Sequence, residues 1–280
     1  MISKNAIIES NDIQIGKNVI IGDGVEIRCP EKIHIGDNSV LTKNIKINCT
    51  SFEAGEYFYM TERCEVGRGG CYGPNSRVKI GKHVGIFEGT IINPSEMVEI
   101  GDDVGIGGDV MIWTHGAWLD ALQGFPEDFG PVKLGNNVWL PARSIVLPNV
   151  NIGNNVVIGI NSIINRSLPD GCFAAGSPCK VIKEDVYPKP LSTEAIEKLV
   201  VDILDNWKKL IEFKGVTRPV DVNYENGKIF LNQSHYETIY NIEERTIQGY
   251  MNDVVEDLRD YLRRRGIKIY TGKPFKSIKL

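Results

Sequence analysis

The chain has 280 residues, a formal net charge of −4 and 42% hydrophobic side chains, enough for a buried core and too little positive charge for a nucleic-acid field. Its start, MISKNAIIES, has no apolar run behind a basic segment, and no 18 uninterrupted apolar residues occur anywhere. A cytoplasmic protein without a membrane span is therefore expected. The six cysteines, at 29, 49, 64, 71, 172 and 179, show neither CxxC spacing nor the density of a secreted disulfide scaffold. Reduced thiols and no metal are the expectation.

From the N-terminus, aliphatic residues recur at six-residue steps: Ile15, Ile21, Ile27, then Ile35, Leu41, Ile47 after a step of eight. A weaker triplet, Met60, Val66, Tyr72, leads by eight into Ile80, Ile86, Ile92, and these into Ile100, Ile106, Ile112. Leu134, Leu140, Val146 then run without a gap into Ile152, Ile158, Ile164. Four positions after most of these lies a small or β-branched residue, such as Val25, Ser39, Val84, Thr90, Val138 or Ser162. Between them fall pairs such as IGDN and IGNN, whose Gly, Asn and Asp tolerate left-handed backbone angles. Each hexad thus reads as a short strand plus a corner, and three hexads close a triangular coil. Coils stacked about 4.8 Å apart pair their strands in parallel and fill the prism with aliphatics. Every irregular step follows the third member of a triplet, so both long insertions, 48–59 and 113–133, should leave one edge of the prism.

The second insertion, IWTHGAWLDALQGFPEDFGPVKLG, carries His115, one of four histidines. It lies three residues after the last inward aliphatic of its coil, a rigid mount for a catalytic group. Asp120, Glu127 and Asp128 in the same loop, or a backbone carbonyl, are candidates to orient its ring. Trp113, Trp118, Phe125 and Phe129 give the loop an aromatic face suited to a sugar ring or to a neighbouring subunit.

The run LGNNVWLPARSIVLPNVNIGNNVVIGINSIINRSLPDGCFAAGSPCKVIK resembles the C-terminal half of the hexapeptide-repeat acyltransferases, among them the galactoside and maltose O-acetyltransferases. The similarity extends over about residues 5–185. It implies a mainly β fold, a left-handed parallel β-helix of about seven coils, as domain 1–185, and a homotrimer. It also implies acyl-CoA, most simply acetyl-CoA, as donor. His115 becomes the general base by the T-H-G match, and imidazole, with a reference pKa near 6.5, suits proton removal at neutral pH. By position in the run, Ala142, Ile160, Asn165 and Arg166 would line the pantetheine groove with Trp139 as a wall, and Lys180 and Lys183 would reach the phosphates. Ile160 and Asn161 stand where the family often has Ala-Gly, a departure that bears on acyl chain length. On the acceptor side, Glu88, Asn93 and Trp118 are candidates for contact with a sugar. Two other classes use the same prism. One is a non-catalytic trimeric scaffold, and the other is a carbonic-anhydrase-like zinc enzyme, for which the chain lacks a close histidine pair.

After Pro188 and Pro190 the six-residue period stops. Ile196, Leu199, Val200, Ile203, Trp207, Leu210 and Ile211 have helical spacing, with Ser192 or Thr193 to cap and Gly215 to end the helix. VDVNYENGKIFLN reads as a hairpin about Asn226-Gly227. A second helix follows, with Met251, Val254, Val255, Leu258, Tyr261 and Leu262 on one face and Gly266 closing it. This predicts a small α+β domain over 186–280 that ends in the basic run RRRGIKIYTGKPFKSIKL.

Overall fold

The computed structural model describes residues 1–69, 71–216, 220–233 and 235–279, and the chain divides into two compact units, Met1–Lys189 and Pro190–Leu280. The division falls after Lys189 rather than after residue 185.

The first unit is a prism with three walls. Among the described residues they are sheets of eight, seven and nine strands, and through Ile163–Ile164 successive wall strands of the chain visit them in rotation. The seven-stranded sheet runs from Ile13–Ile15 through Lys32–Ile35, Ser51–Ala54, Arg77–Ile80, Val98–Ile100 and Val132–Leu134 to Asn151–Ile152. Pairing from coil to coil is parallel, as in Ile33↔Ile13 and Ile33↔Phe52, until Lys180–Lys183 turns back antiparallel on Phe173–Ala175. The inward aliphatics are the core. Ile27, Ile35, Leu41, Ile86, Ile92, Ile106, Ile112, Leu140, Val146 and Ile164 are all at 0% exposure, each contributing about 1.5–3 kcal/mol by burial. The second inward position is filled as the four-residue offset predicts. There Ser39 and Ser162 are buried, with their hydroxyls donating to the Gly36 and Gly159 carbonyls at 2.7 and 2.6 Å.

The corners explain the Gly, Asn and Asp residues. Asn38, Asn137 and Asn155 have φ of 59°, 55° and 57°, a region that asparagine enters more readily than most residues. At Gly22 a Cβ would lie 1.4 Å from the Thr42 carbonyl oxygen of the next coil, so stacking there requires glycine.

Two of the expected positions are corrected. Residues 48–59 are not an insertion: Ser51–Ala54 and Tyr59–Met60 are strands of the seven- and nine-stranded sheets. The inward triplet is Ala54, Met60, Val66, and Tyr72 is 71% exposed. Ala54 escapes an aliphatic pattern because buried Phe52 and Phe58, 6.0 Å apart, supply its missing volume. The true excursion joins Glu65–Val66 to Arg77–Ile80. It still leaves the edge between the eight- and seven-stranded sheets, as does the loop after Trp113.

The second unit places α1, Thr193–Phe213, with α2, Asp253–Arg263, and an antiparallel four-stranded sheet. Ser192 caps α1, accepting from Ala195 N at 3.2 Å, and Gly215 follows it at φ 79°. The hairpin turns at Asn226-Gly227, with φ of 48° and 77°. Tyr236–Asn241 and Thr246–Gly249 extend that sheet beyond the expected pair. The basic tail is partly interior. Arg259, fully buried, pairs with Glu256 and donates to the carbonyls of Ile269, Lys273 and Pro274, while Arg263 and Arg264 pair with Asp260.

Candidate active site

Strand Met111–Trp113 ends at the edge between the eight- and seven-stranded sheets, and the chain leaves it through Thr114 and His115. Buried Thr114 fixes the departure: its hydroxyl donates to the Asn93 carbonyl at 2.8 Å and accepts from Glu96 N at 2.9 Å. His115–Gly116 then pairs antiparallel with Asp128–Phe129, closing the insertion into an arm. The imidazole is half-buried, stacked on Phe129 with ring centres 5.6 Å apart and met edge-on by Trp113 at 6.1 Å. Its Nδ1 lies 2.9 Å from Ser95 Oγ. The Ser95 hydroxyl is 3.2 Å from Asn93 Oδ1, and the Asn93 amide donates to the carbonyls of Gly67 and Arg68 at 3.1 and 3.2 Å.

The group that touches the ring is thus a serine one coil earlier. Among the described residues none of the three loop carboxylates bonds to the ring. Asp120 caps a short turn through Leu122 N, and Asp128 accepts from Asn149. Ser95 was legible in principle, since it lies 20 residues before His115 and one coil spans about that distance at Asn18 and Asn38, whose side chains also meet. Asn93, expected on the acceptor side, is 1% exposed and committed to main-chain carbonyls, so it supports the ring and does not face an acceptor. Trp118 is 96% exposed at the tip of the arm.

A second feature occupies the edge between the nine- and eight-stranded sheets. A cavity of about 860 Å³ is walled by Tyr59, Phe87, Trp139, Pro141, Ala142 and Ile160, with Lys43, Glu62 and Glu88 at its charged end. Trp139 lies flat because Gly105 beneath it has no side chain: a Cβ there would be 2.6 Å from the indole Cε3. Lys43 pairs with Glu62 at 2.9 Å, and that hydrogen bond holds the Glu62 carboxyl below its ordinary range. Glu88 pairs with Arg63. Behind the wall, burial pushes the Cys64 thiol up to about 11. The structure therefore brings Trp139, Ala142 and Ile160 together. Asn165, Arg166, Lys180 and Lys183 are exposed and do not line this cavity. Glu88 and Asn93 are separated, because five residues along a six-residue repeat carry the chain from one edge nearly to the next.

Between the two edges stands the outer face of the eight-stranded sheet, and its character changes along the prism. Glu26, Lys46 and Glu65 are in register in the early coils. Ile91, Met111, Ile145 and Ile163 continue the same column in the later ones. Among the described residues no group of three or more His, Cys, Asp or Glu side chains is placed to hold a metal ion, and no helix is long and apolar enough to cross a membrane.

Residues 131–166 match the family described as bacterial transferase hexapeptide (six repeats). A Saccharomyces cerevisiae protein provisionally named an acetyltransferase is 40% identical over 116 residues, 40% of this chain and 58% of that protein. The galactoside O-acetyltransferase of Escherichia coli is 37% identical over 116 residues, 40% of this chain and 56% of the relative. The chain thus spans under three fifths of the length of these curated relatives. An N-acyltransferase of Bacillus cereus, solved with dTDP and coenzyme A, is 22% identical with a TM-score of 0.47, covering 62% of this chain and 90% of that one. The chain carries the hexapeptide repeat and resembles the acetyltransferases that share it.

Proposed function

We propose that the first unit is an acyl-CoA-dependent acyltransferase, most simply an acetyltransferase, that acts on a hydroxyl or amine of a carbohydrate or sugar-derived acceptor. In this reading the prism is a left-handed helix of about seven coils that works as a homotrimer. The observation that carries the proposal is His115: a half-buried imidazole fixed by Ser95, Phe129 and Trp113 at an open edge of a rigid solenoid. Its Nε2 removes the acceptor proton as the acceptor oxygen or nitrogen attacks the thioester carbonyl. The tetrahedral intermediate then collapses, the carbon–sulfur bond breaks, and the imidazolium returns the proton to the departing thiolate. No acyl-enzyme is required.

The cavity at the other edge suits the donor. Its Trp139, Pro141, Ala142 and Ile160 wall offers apolar surface to a pantetheine arm. Asn165, Arg166, Lys180 and Lys183 would then meet the far end of the donor, where the phosphates need cations. The half-exposed column Ile91, Met111, Ile145 and Ile163 offers an apolar face for that assembly, in which the cavity of one copy would lie near the histidine edge of another. Trp118 and Glu88 are the acceptor-side candidates that remain exposed or half-exposed.

The test is a panel of sugar and amino-sugar acceptors with acetyl-CoA, following free thiol. Transfer should appear with at least one acceptor and fall by about 10²- to 10⁴-fold in His115→Ala, with an unchanged circular dichroism spectrum. Silence across the panel, or full activity in His115→Ala, overturns the reading.

A further inference from the structure

We propose that Asn93 and Ser95 are positioning residues that hold His115 in a single tautomer, with its proton on Nδ1 and its lone pair on Nε2. The inference rests on His115 as the base but is argued from hydrogen-bond polarity alone. It begins two coils away, at the carbonyl groups of Gly67 and Arg68, which can only accept. Both face the side-chain amide of Asn93, so its NH2 must point at them. The opposite orientation would set Oδ1 against two carbonyl oxygens inside a site that is 1% exposed. The Asn93 Oδ1 is thereby turned toward Ser95, 3.2 Å away, as an acceptor. Ser95 has one proton, and that proton goes to Oδ1. What its oxygen has left for His115 Nδ1, at 2.9 Å, is a lone pair. Nδ1 must therefore carry hydrogen, and the neutral ring then presents a bare nitrogen at Nε2.

The direction matters because the other tautomer has its lone pair aimed at Ser95 and a hydrogen already on Nε2, the nitrogen that must receive the acceptor's proton. The ring plane is set separately, by stacking on Phe129. Ser95 thus decides which nitrogen is basic, while Phe129 decides where it points. The arrangement also ties the loop that starts at Gly67 to the chemistry of a residue some fifty positions later, since those two carbonyls are the origin of the polarity. It assigns Asn93 a reason for being an amide: an aspartate there would set anionic oxygens against both carbonyls and leave them without their donor.

The experiment is a long-range 15N–1H correlation spectrum of the full-length protein labelled in its histidine rings, recorded where the imidazoles are neutral. His115 is assigned by the loss of its signals in His115→Gln. The wild type should show a protonated Nδ1 and an unprotonated Nε2. Ser95→Ala should lose this single pattern and give a mixture or the opposite tautomer, and Ser95→Thr, which keeps a hydroxyl, should restore it. With the acceptor found in the panel above, Ser95→Ala should lower kcat by about ten- to a hundredfold, the scale of one hydrogen bond to a charged group, leave KM for acetyl-CoA unchanged, and recover in Ser95→Thr. A wild-type ring protonated on Nε2, or a Ser95→Ala spectrum identical to wild type, overturns the proposal. A normal wild-type spectrum that collapses in Ser95→Ala, together with full transfer by His115→Ala, supports the tautomer assignment and rejects the general base. The two readings therefore fail separately.

Discussion

Gly105→Ala adds one methyl group beneath Trp139, and the structure says how far the indole must move. The new Cβ would lie 2.6 and 2.8 Å from the Cε3 and Cζ3 atoms, whereas carbon atoms rest at about 3.5–4.0 Å. The ring therefore has to lift by about 1 Å. Because Trp139 is 44% exposed, it can swing outward instead of deforming the coil, and the stability cost should stay near the low end of overpacking, about 1 kcal/mol. The cavity pays more, since that ring is one of its walls. A misplaced wall should weaken coenzyme A binding about tenfold, equivalent to about 1.4 kcal/mol. Isothermal titration with coenzyme A measures the Kd, and differential scanning calorimetry the Tm. In the double variant Gly105→Ala/Trp139→Ala the clash disappears, so its Tm should match Trp139→Ala alone, a non-additivity expected of residues in contact. An unchanged Kd in both Gly105→Ala and Trp139→Ala would refute the assignment of this cavity to the donor. A Tm loss that persists in the double variant would refute the steric argument.

Three further outcomes test the physical account. Ile106, fully buried between Ile86 and Leu140 of adjacent coils, should cost about 2–5 kcal/mol as alanine, seen as a lower calorimetric transition of the first unit. Cys64, whose thiol is pushed up to about 11 by burial, makes stability fall between about pH 9 and 11, because the unfolded thiol ionises first and the buried one cannot. The pH slope of the urea midpoint across that range should be shallower in Cys64→Ala. In the second unit, Lys214 and Asp257 are paired with side chains 8% and 1% exposed. Lys214→Met strands a carboxylate whose remaining donors are Trp207 Nε1 and Ile278 N. About 3–5 kcal/mol should be lost from that unit, with the transition of the first unit unmoved.

The prism was legible because its two inward positions per hexad are filled by one kind of residue. Ile86, Ile106 and Leu140 lie in one column with Val84, Val104 and Val138 beside it, and the period survives substitution within the aliphatics. It failed at Ala54, where the volume was moved to Phe52 and Phe58, and at Tyr72, an aromatic that happened to fall on the count. Volume is conserved across a coil, whereas a pattern search reads single positions. The arm that carries His115 was legible from the broken rhythm, but Ser95 could be picked out only through the 20-residue spacing of stacked coils. A hydroxyl at a corner looks like any turn residue until the coils are stacked and 20 residues of sequence become one rung of height. Asn93 misled for the same reason: polarity suggested solvent, and stacking made it interior. In the second unit the helices and the Asn226-Gly227 hairpin followed from period and turn chemistry. The strands Tyr236–Asn241 and Thr246–Gly249 did not, because residues such as Tyr236 and Gln248 carry little apolar alternation.

One wall of the prism separates the indole-lined hollow from the imidazole, so a defect in either should reside on its own face. In the proposed homotrimer, preparations of Trp139→Ala and His115→Ala, each impaired alone, ought to regain part of their turnover when unfolded together and refolded as mixtures, since hybrid particles would pair an intact hollow from one parent with an intact base from the other. Recovery proportional to the fraction of such hybrids would make genetic complementation the natural signature of this architecture.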